Sequence, residues 1–528
     1  MNTSSACALS RLLFLASALA LVSTASARDV PRWQPHDFSF TAKTDAANPF
    51  MVPFSATAKG PGGVELKVPG FFDGESTWKI RVAPTVEGAW SLVTKSEVKE
   101  LDGKTAEFTC VKNTNPNVHG ALRVDGAHPH HFIFEDGTRF FMQGYEYDWL
   151  WALDMDKPGV PTVEQSVDLI AKHGFNYVIL NSYAYDTKWR EGKSGPDDFG
   201  PSLLYPWEGT NEQHDQSRMN LAYWQHYDRV MSALAERGIE AHMLIKVYNK
   251  QVKWPAHGSD EEKLFFRWLV ARYAAYPNII WDFSKEAHNE KDLAYKQGWL
   301  KWIRENDAWH HLTTVHDDDE ANDSGAYDDL TDFRADQHHG KQQGRNQHDM
   351  ILWQRERRAW PVANVESDYE CGPGGVKDKT YGGAMTPEQT LSTLWEIAMA
   401  GGYTAYYYTY TAWDVIRPLD APPGYAMMKH FGDFWRATEY WLLEPSDKLV
   451  SAGWCLANPG REYVAFLKAA QPFTLEIADV KSPLKAEWFN PHTGKRTFAG
   501  TLNNGTTKLT PPAEWGAAPL VLHSHLTK

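Results

Sequence analysis

The stretch Asn278–Asp292, NIIWDFSKEAHNEKD, decides the fold. It opens with apolar residues at the density of a strand buried on both faces, and within a few positions becomes Asp, Lys, Glu and His. Either it is an ordinary strand-to-helix turn or it is the rim of a cleft. In a parallel α/β barrel the side chains just past the strand ends surround one cleft, so the neighbouring segments choose between the two.

Upstream, RFFMQGYEY (139–147) reads as a strand and TVEQSVDLIAKHG (162–174) as a helix with apolar Val163, Val167, Leu169 and Ile170, closed by Gly174. FNYVILNSY (175–183) is a strand, NLAYWQHYDRVMSALAERG (220–238) a helix closed by Gly238, IEAHMLIKVY (239–248) a strand and DEEKLFFRWLVARYAAYP (260–277) a helix. Downstream the strand candidates are WHHLTTVH, DFRADQHH, WPVANVES and GGYTAYYYTY. Eight strand candidates alternating with helices predict a (β/α)8 TIM barrel. An open doubly wound sheet competes, but no GxGxxG or GxxxxGK[ST] motif supports a nucleotide-binding version.

The flanks have another texture. VELKVPGFFDG, STWKIRVAP, GAWSLVTKS and KTAEFTCV are short alternating runs bounded by turn residues, as are EYVAFLKAAQPFTLEIADV, AEWFNPHTGKRTFAG and APLVLHSH near the end. They predict an N-terminal and a C-terminal β-sandwich. The expected division is a signal peptide at 1–27, a β-sandwich at 28–125, the barrel at 126–436 and a second β-sandwich at 437–528.

The signal peptide rests on Arg11, the apolar run Leu12–Val22 and the small-residue site Ala25-Ser26-Ala27. It predicts export, to the periplasm or the medium. That run is too short for a stable membrane span, and no later stretch reaches the required length without charges. A net charge of −14 opposes general nucleic-acid binding, because the phosphate backbone is repelled. Beyond Cys7 in the expected signal peptide, the chain keeps Cys110, Cys371 and Cys455, too few for a disulfide framework; one bridge is possible and at least one thiol is free. The 23 Trp and 23 Tyr suit a protein that stacks on sugar rings, and equally one with aromatic cores. Oligomeric state is not legible.

The predicted strand ends supply the candidate site. They carry Glu146 and Trp149, Asn181 and Tyr183, Lys246 and Tyr248, Glu286 and His288, His316, His338, Glu366, and finally Tyr408 and Trp413. Glu286 and Glu366 stand apart: each follows an apolar strand, on strands four and seven. Two carboxylates flanking a glycosidic bond can divide the work, one protonating the leaving oxygen and the other attacking the anomeric carbon or activating water. Glu290 and Glu370 lie close enough to be mistaken for that pair, and Lys285 could be an outward-facing salt-bridge residue. The histidines His316, His338 and His339, with His242, raise a metal alternative, and the acidic run Asp317–Glu320 a calcium one. Adjacent residues of a strand point to opposite faces and there is no HExxH, so the reading assigns no metal and no cofactor.

GFFDGESTWKIRVAPTVEGAWSL with NTNPNVHGALRV resembles the DUF5060 domain, an N-terminal β-sandwich found before glycoside-hydrolase barrels. The barrel resembles the apiosidase-like (DUF4038) group within the clan A glycoside hydrolases, and AEWFNPHTGKRTFAG…LTPPAEWGAAPLVL resembles the so-called collagen-binding domain that ends such chains. The resemblance implies a retaining mechanism, with the acid/base at Glu286 and the nucleophile at Glu366. It also implies an Asn before the acid/base that holds the substrate's 2-hydroxyl; here Lys285 stands in that position. His316 and Tyr248 are candidates for tuning the nucleophile.

The expected function is therefore a retaining glycoside hydrolase acting, in an exo mode, on a plant or algal polysaccharide or its oligosaccharides. The loops 186–220 and 371–386 could close a pocket, and Lys188, Arg190, Lys246 and Arg334 could meet an acidic or sulfated sugar. A non-catalytic carbohydrate-binding barrel and a polysaccharide lyase are the alternatives.

Overall fold

The computed structural model describes residues 28–185, 202–318, 325–340, 344–372, 384–411 and 421–526. The expected signal peptide, Lys188, Arg190 and Trp413 lie outside the described residues.

The centre is a parallel sheet that curls into a nearly closed barrel. Its strands are β1 (Gln143–Glu146), β2 (Tyr177–Asn181), β3 (Glu240–Val247), β4 (Ile279–Lys285), β5 in two pieces (Thr313–Thr314 and His316–Asp318), β6 (Arg334–Gln337), β7 (Val362–Glu366) and β8 (Tyr403–Tyr408). They pair in the order β5–β4–β3–β2–β1–β8–β7–β6–β5, the two pieces of β5 taking one edge each. The stretch that opened the reading is thus β4, paired with β3 from Ala241↔Ile279 to Val247↔Lys285.

Seven helices alternate with the strands: α1 (Pro161–Lys172), α2 (Leu221–Glu236), α3 (Asp260–Tyr273), α4 (Leu293–Asn306), α5 (Gln347–Arg357), α6 (Pro387–Met399) and α7 (Tyr425–Arg436). No α-helix joins β5 to β6 among the described residues, which departs from a strict eightfold repeat. The helix ends follow local chemistry. The Ser259 hydroxyl accepts the Glu262 N–H at the start of α3, and Thr386 and Gln389 form a reciprocal capping box at α6. Gly174 and Gly238, the predicted stops after α1 and α2, have φ of +88° and +65°, which a side chain would resist.

The N-terminal part has a five-stranded sheet with strand order 28–31, 105–111, 88–96, 54–59, 65–69 and a three-stranded sheet of 36–41, 77–82 and 71–72. Its apolar residues share one core with the barrel: Phe50 and Phe71 pack on Trp268 of α3. Buried charges reinforce the junction. Arg81 pairs with Asp37 at 2.7 Å and with Asp228 of α2 at 3.0 Å, while Arg272 of α3 reaches Asp228 at 2.5 Å and Asp73 at 3.0 Å. The C-terminal part has a six-stranded sheet, a two-stranded one (Phe473–Ile477 with Gly505–Leu509) and a second core around Tyr463, Trp488 and Leu522. Cys110, Cys371 and Cys455 are buried and unbridged, so the one disulfide the sequence allowed does not form. No helix among the described residues is long and apolar enough to cross a membrane.

Candidate active site

The strand ends meet around the ammonium of Lys285, the last residue of β4. Lys285 Nζ donates to a Glu146 carboxylate oxygen at the end of β1, lies 3.0 Å from Asp148 Oδ2, and lies 3.1 Å from Glu366 Oε2 at the end of β7. Lysine and all three carboxylates are buried. The outward-facing role considered for Lys285 is therefore overturned: it is the cation at the centre of the strand ends.

Glu286 follows with φ 56° and ψ 43°, a left-handed conformation unusual for a residue with a side chain. Consecutive residues of an extended strand point to opposite faces. The left-handed step at Glu286 breaks that alternation and lets Lys285 and Glu286 serve one site. Strain of this kind costs about 1–3 kcal/mol and persists where the surroundings enforce it. Here Gln337 Nε2 donates to Glu286 Oε1 at 3.3 Å, and His288 Nε2 lies 3.1 Å from Glu286 Oε2. His288 Nδ1 is in turn 3.0 Å from Asp317 Oδ1, completing a carboxylate–imidazole–carboxylate chain.

The two glutamates occupy different environments. Burial pushes Glu366 up, but the Lys285 charge and the contact with His316, 3.4 Å away, hold it well below the usual carboxylate range. The Tyr369 hydroxyl donates to its other oxygen. Glu366 is thus an ionised carboxylate in a dry setting. Glu286 is also pushed up by burial and brought below its ordinary value by His288, yet its side chain keeps 14% exposure. His288 is raised to about 10 by Asp317 and then by Glu286. Glu146 is pushed well above the ordinary range by burial and by the Glu366 charge.

Other predicted residues sit elsewhere. The Lys246 ammonium is buried and held by Glu262 of α3 at 2.6 Å and the Tyr295 hydroxyl of α4 at 2.5 Å. Trp149 is buried and stacked on Trp151, which covers a ring face that a sugar would need. Tyr183 is buried among Trp151, Tyr205, Trp207 and Tyr223. Tyr248 packs on Phe283 beside Tyr295. Asn181 accepts no hydrogen bond on its buried Oδ1, and its backbone N–H donates to the Asp148 carbonyl. His338 is buried beside Asn364. Tyr408 packs on Tyr410, while its neighbour Tyr407 joins the cluster, donating to Asp148 Oδ2 at 2.6 Å. Glu290 pairs with His257 at 3.2 Å, and Glu370 accepts the Gly424 N–H at 2.9 Å, so neither belongs with Glu286 and Glu366. Arg334 is buried and paired with Asp336 at 3.2 Å. His242 is bonded to Asp282 and Tyr177, both at 2.8 Å. One atom each of Glu146, His316 and Glu366 fall within 4.8 Å of one another, a set able to hold a cation, but the Lys285 ammonium is already paired with both carboxylates of the set.

Tyr369, Tyr407, Asp148 and Gln337 were not singled out as site residues in the sequence. Asp148 and Gln337 stood at predicted strand ends; Tyr369 and Tyr407 carried no signal beyond proximity to such ends.

Comparison with known proteins supplies the rest. Residues 127–469 match the family model described as "Apiosidase-like, catalytic domain", residues 29–97 the domain of unknown function DUF5060, and residues 448–522 the "Putative collagen-binding domain of a collagenase". Among solved structures, a "putative glycoside hydrolase" from Bacteroides vulgatus aligns with a TM-score of 0.76 at 20% identity, covering 94% of this chain and 99% of that one. A glycoside hydrolase family 5 protein from the same organism aligns at 0.58 and 17%, covering 77% and 93%. At these identities the likeness concerns the fold. No curated protein matches.

Proposed function

Since the chain belongs to the apiosidase-like family, and is by that membership a glycoside hydrolase, we propose that it is a retaining, exo-acting enzyme for a plant or algal polysaccharide or its oligosaccharides. Glu366 is the nucleophile and Glu286 the acid/base. The observation that carries this reading is the contrast between them: Glu366 is fully buried and held ionised by Lys285, whereas Glu286 stays partly open to solvent.

In the first step a Glu366 oxygen attacks the anomeric carbon, the bond to the leaving oxygen breaks, and Glu286 gives that oxygen its proton. In the second, Glu286 takes a proton from water, whose oxygen displaces Glu366 from the sugar. The deep burial of Glu366, with exposure kept at Glu286 and His288, fits a dead-end pocket that accepts a chain end. The flanking sheets are read as β-sandwiches around the barrel, with boundaries at 28–125, 126–436 and 437–528. Residues 1–27 are read as a signal for export to the periplasm or the medium.

The test is a panel of plant and algal glycans offered to the wild type, E286Q and E366Q. Wild-type release of a sugar with retained anomeric configuration, lost in both variants, supports the reading. Inverted products overturn retention. An unsaturated product establishes a lyase, and glycan binding without turnover a carbohydrate-binding barrel.

A further inference from the structure

The position before the acid/base, where the resemblance implies an asparagine holding the substrate's 2-hydroxyl, is a lysine whose ammonium is shared among three carboxylates. This raises the question of which group holds that hydroxyl here. The hydrogen bonds and ion pairs answer it. Asp148 uses both oxygens, receiving Lys285 at 3.2 and 3.0 Å and the Tyr407 hydroxyl at 2.6 Å. On Glu366 one oxygen takes the Tyr369 hydroxyl, and the other forms no hydrogen bond but is ion-paired with Lys285 at 3.1 Å and lies 3.4 Å from His316. Glu146 is different. Its Oε1 receives Lys285 and its Oε2 has no partner, although the residue has no solvent-exposed surface.

Charge counting points to the same residue. Three carboxylates surround one ammonium. Even with a proton added to His316, one negative charge remains in excess, and an uncompensated buried charge costs several kcal/mol. A proton on one carboxylate removes the excess. It resides where the fewest donors compete, which is Glu146, and on the oxygen that Lys285 leaves free. A buried O–H without an acceptor is itself costly, so the arrangement is complete only when something accepts from it. One carboxylate oxygen of Glu146 lies within 4.8 Å of one of the proposed nucleophile Glu366, so the two carboxyl groups belong to one site.

We propose that Glu146 enters the reaction as a neutral carboxylic acid whose Oε2–H donates to the sugar hydroxyl next to the anomeric carbon, the role displaced from the lysine position. This rests on the glycosidase reading above. Burial and the Glu366 charge, which push Glu146 well above the usual carboxylate range, agree with it. The specificity that follows is for a sugar bearing a free hydroxyl on the carbon beside the scissile bond; a substrate deoxygenated or substituted there leaves the donor unpaired and is rejected.

The experiment has two arms. In the first, the full chain is labelled with carbon-13 at the glutamate side-chain carboxyl carbons, and the signal lost in E146Q identifies Glu146. The expected signal keeps the position of a carboxylic acid through neutral pH; a carboxylate position there overturns the proposal. The second arm uses the glycan hydrolysed in the panel above. E146A is expected to lose about 10²-fold in kcat/KM, and E146Q, which restores a neutral donor, to recover about tenfold of that loss; no recovery overturns the assignment to the substrate. If the wild type hydrolyses nothing, the glycosidase reading fails and the substrate role fails with it, while the carbon-13 signal still decides the protonation state.

Discussion

The Lys285 ammonium lies 3.1 Å from Glu366 Oε2, so the residue before the proposed acid/base is the counter-ion of the proposed nucleophile. A lysine surrounded by three buried carboxylates cannot be removed cheaply, because each would be left without its cation. K285M is expected to lose about 3–5 kcal/mol of stability, read by denaturant unfolding at neutral pH. It should also move the acidic limb of kcat/KM to higher pH, since Glu366 then ionises less readily. An unchanged limb would show that the ammonium does not set the nucleophile.

His288 is held protonated up to about 10, against an ordinary imidazole value of 6.5. Its ion pairs therefore contribute in full below the ordinary value and disappear as pH rises through about 10. In the same contact His288 holds Glu286 below its usual value, so with Glu286 as the proposed general acid the alkaline limb of kcat/KM is expected on the acidic side of neutrality. H288Q should move that limb to higher pH, and a pH–rate profile of the two proteins checks it.

Glu286 is left-handed, with φ 56°. Glycine adopts that conformation without strain and alanine does not. E286G is expected to be more stable than E286A by about 1 kcal/mol, the reverse of the order inside a helix or strand. Both should be inactive. Equal melting temperatures would show that the loop relaxes once the side chain is gone.

Asp228 receives two buried arginines, Arg81 and Arg272, at the junction of the N-terminal sheets and the barrel. D228A leaves two guanidiniums short of a partner and should cost about 3–5 kcal/mol. The Arg272 and Arg81 charges overcome the upward push of burial and hold Asp228 far below the ordinary carboxylate range. Its contribution is thus complete above the usual aspartate value and lost only in strong acid. The gap in stability between wild type and D228A should stay constant from neutral pH to the ordinary carboxylate range.

The barrel was legible because its strands are nearly continuous apolar runs and its helices carry apolar stripes that end in glycine. The strand-end rule also drew Glu146, Glu286, His288, His316 and Glu366 into one candidate set. The rule reads only position along a strand, so it could not tell Tyr407 from Tyr408. It enrolled Lys246, which is held by Glu262 and Tyr295. It enrolled Trp149, whose face Trp151 covers. Lys285 was seen as a departure from a pattern, but its role depends on three carboxylates supplied by β7 and by the end of β1, far away in sequence. The absence of a helix between β5 and β6 among the described residues left no mark in the count of strands.

The three unbridged thiols among the described residues divide the molecule usefully. Cys110 lies in the N-terminal sheet, Cys371 follows β7, and Cys455 lies in the C-terminal sheet, each shielded from solvent. An alkylating reagent can reach each only when its own surroundings open. Labelling kinetics at the three positions would therefore record, without any engineered probe, whether the N-terminal sheets breathe together with the barrel and whether the C-terminal part loosens by itself.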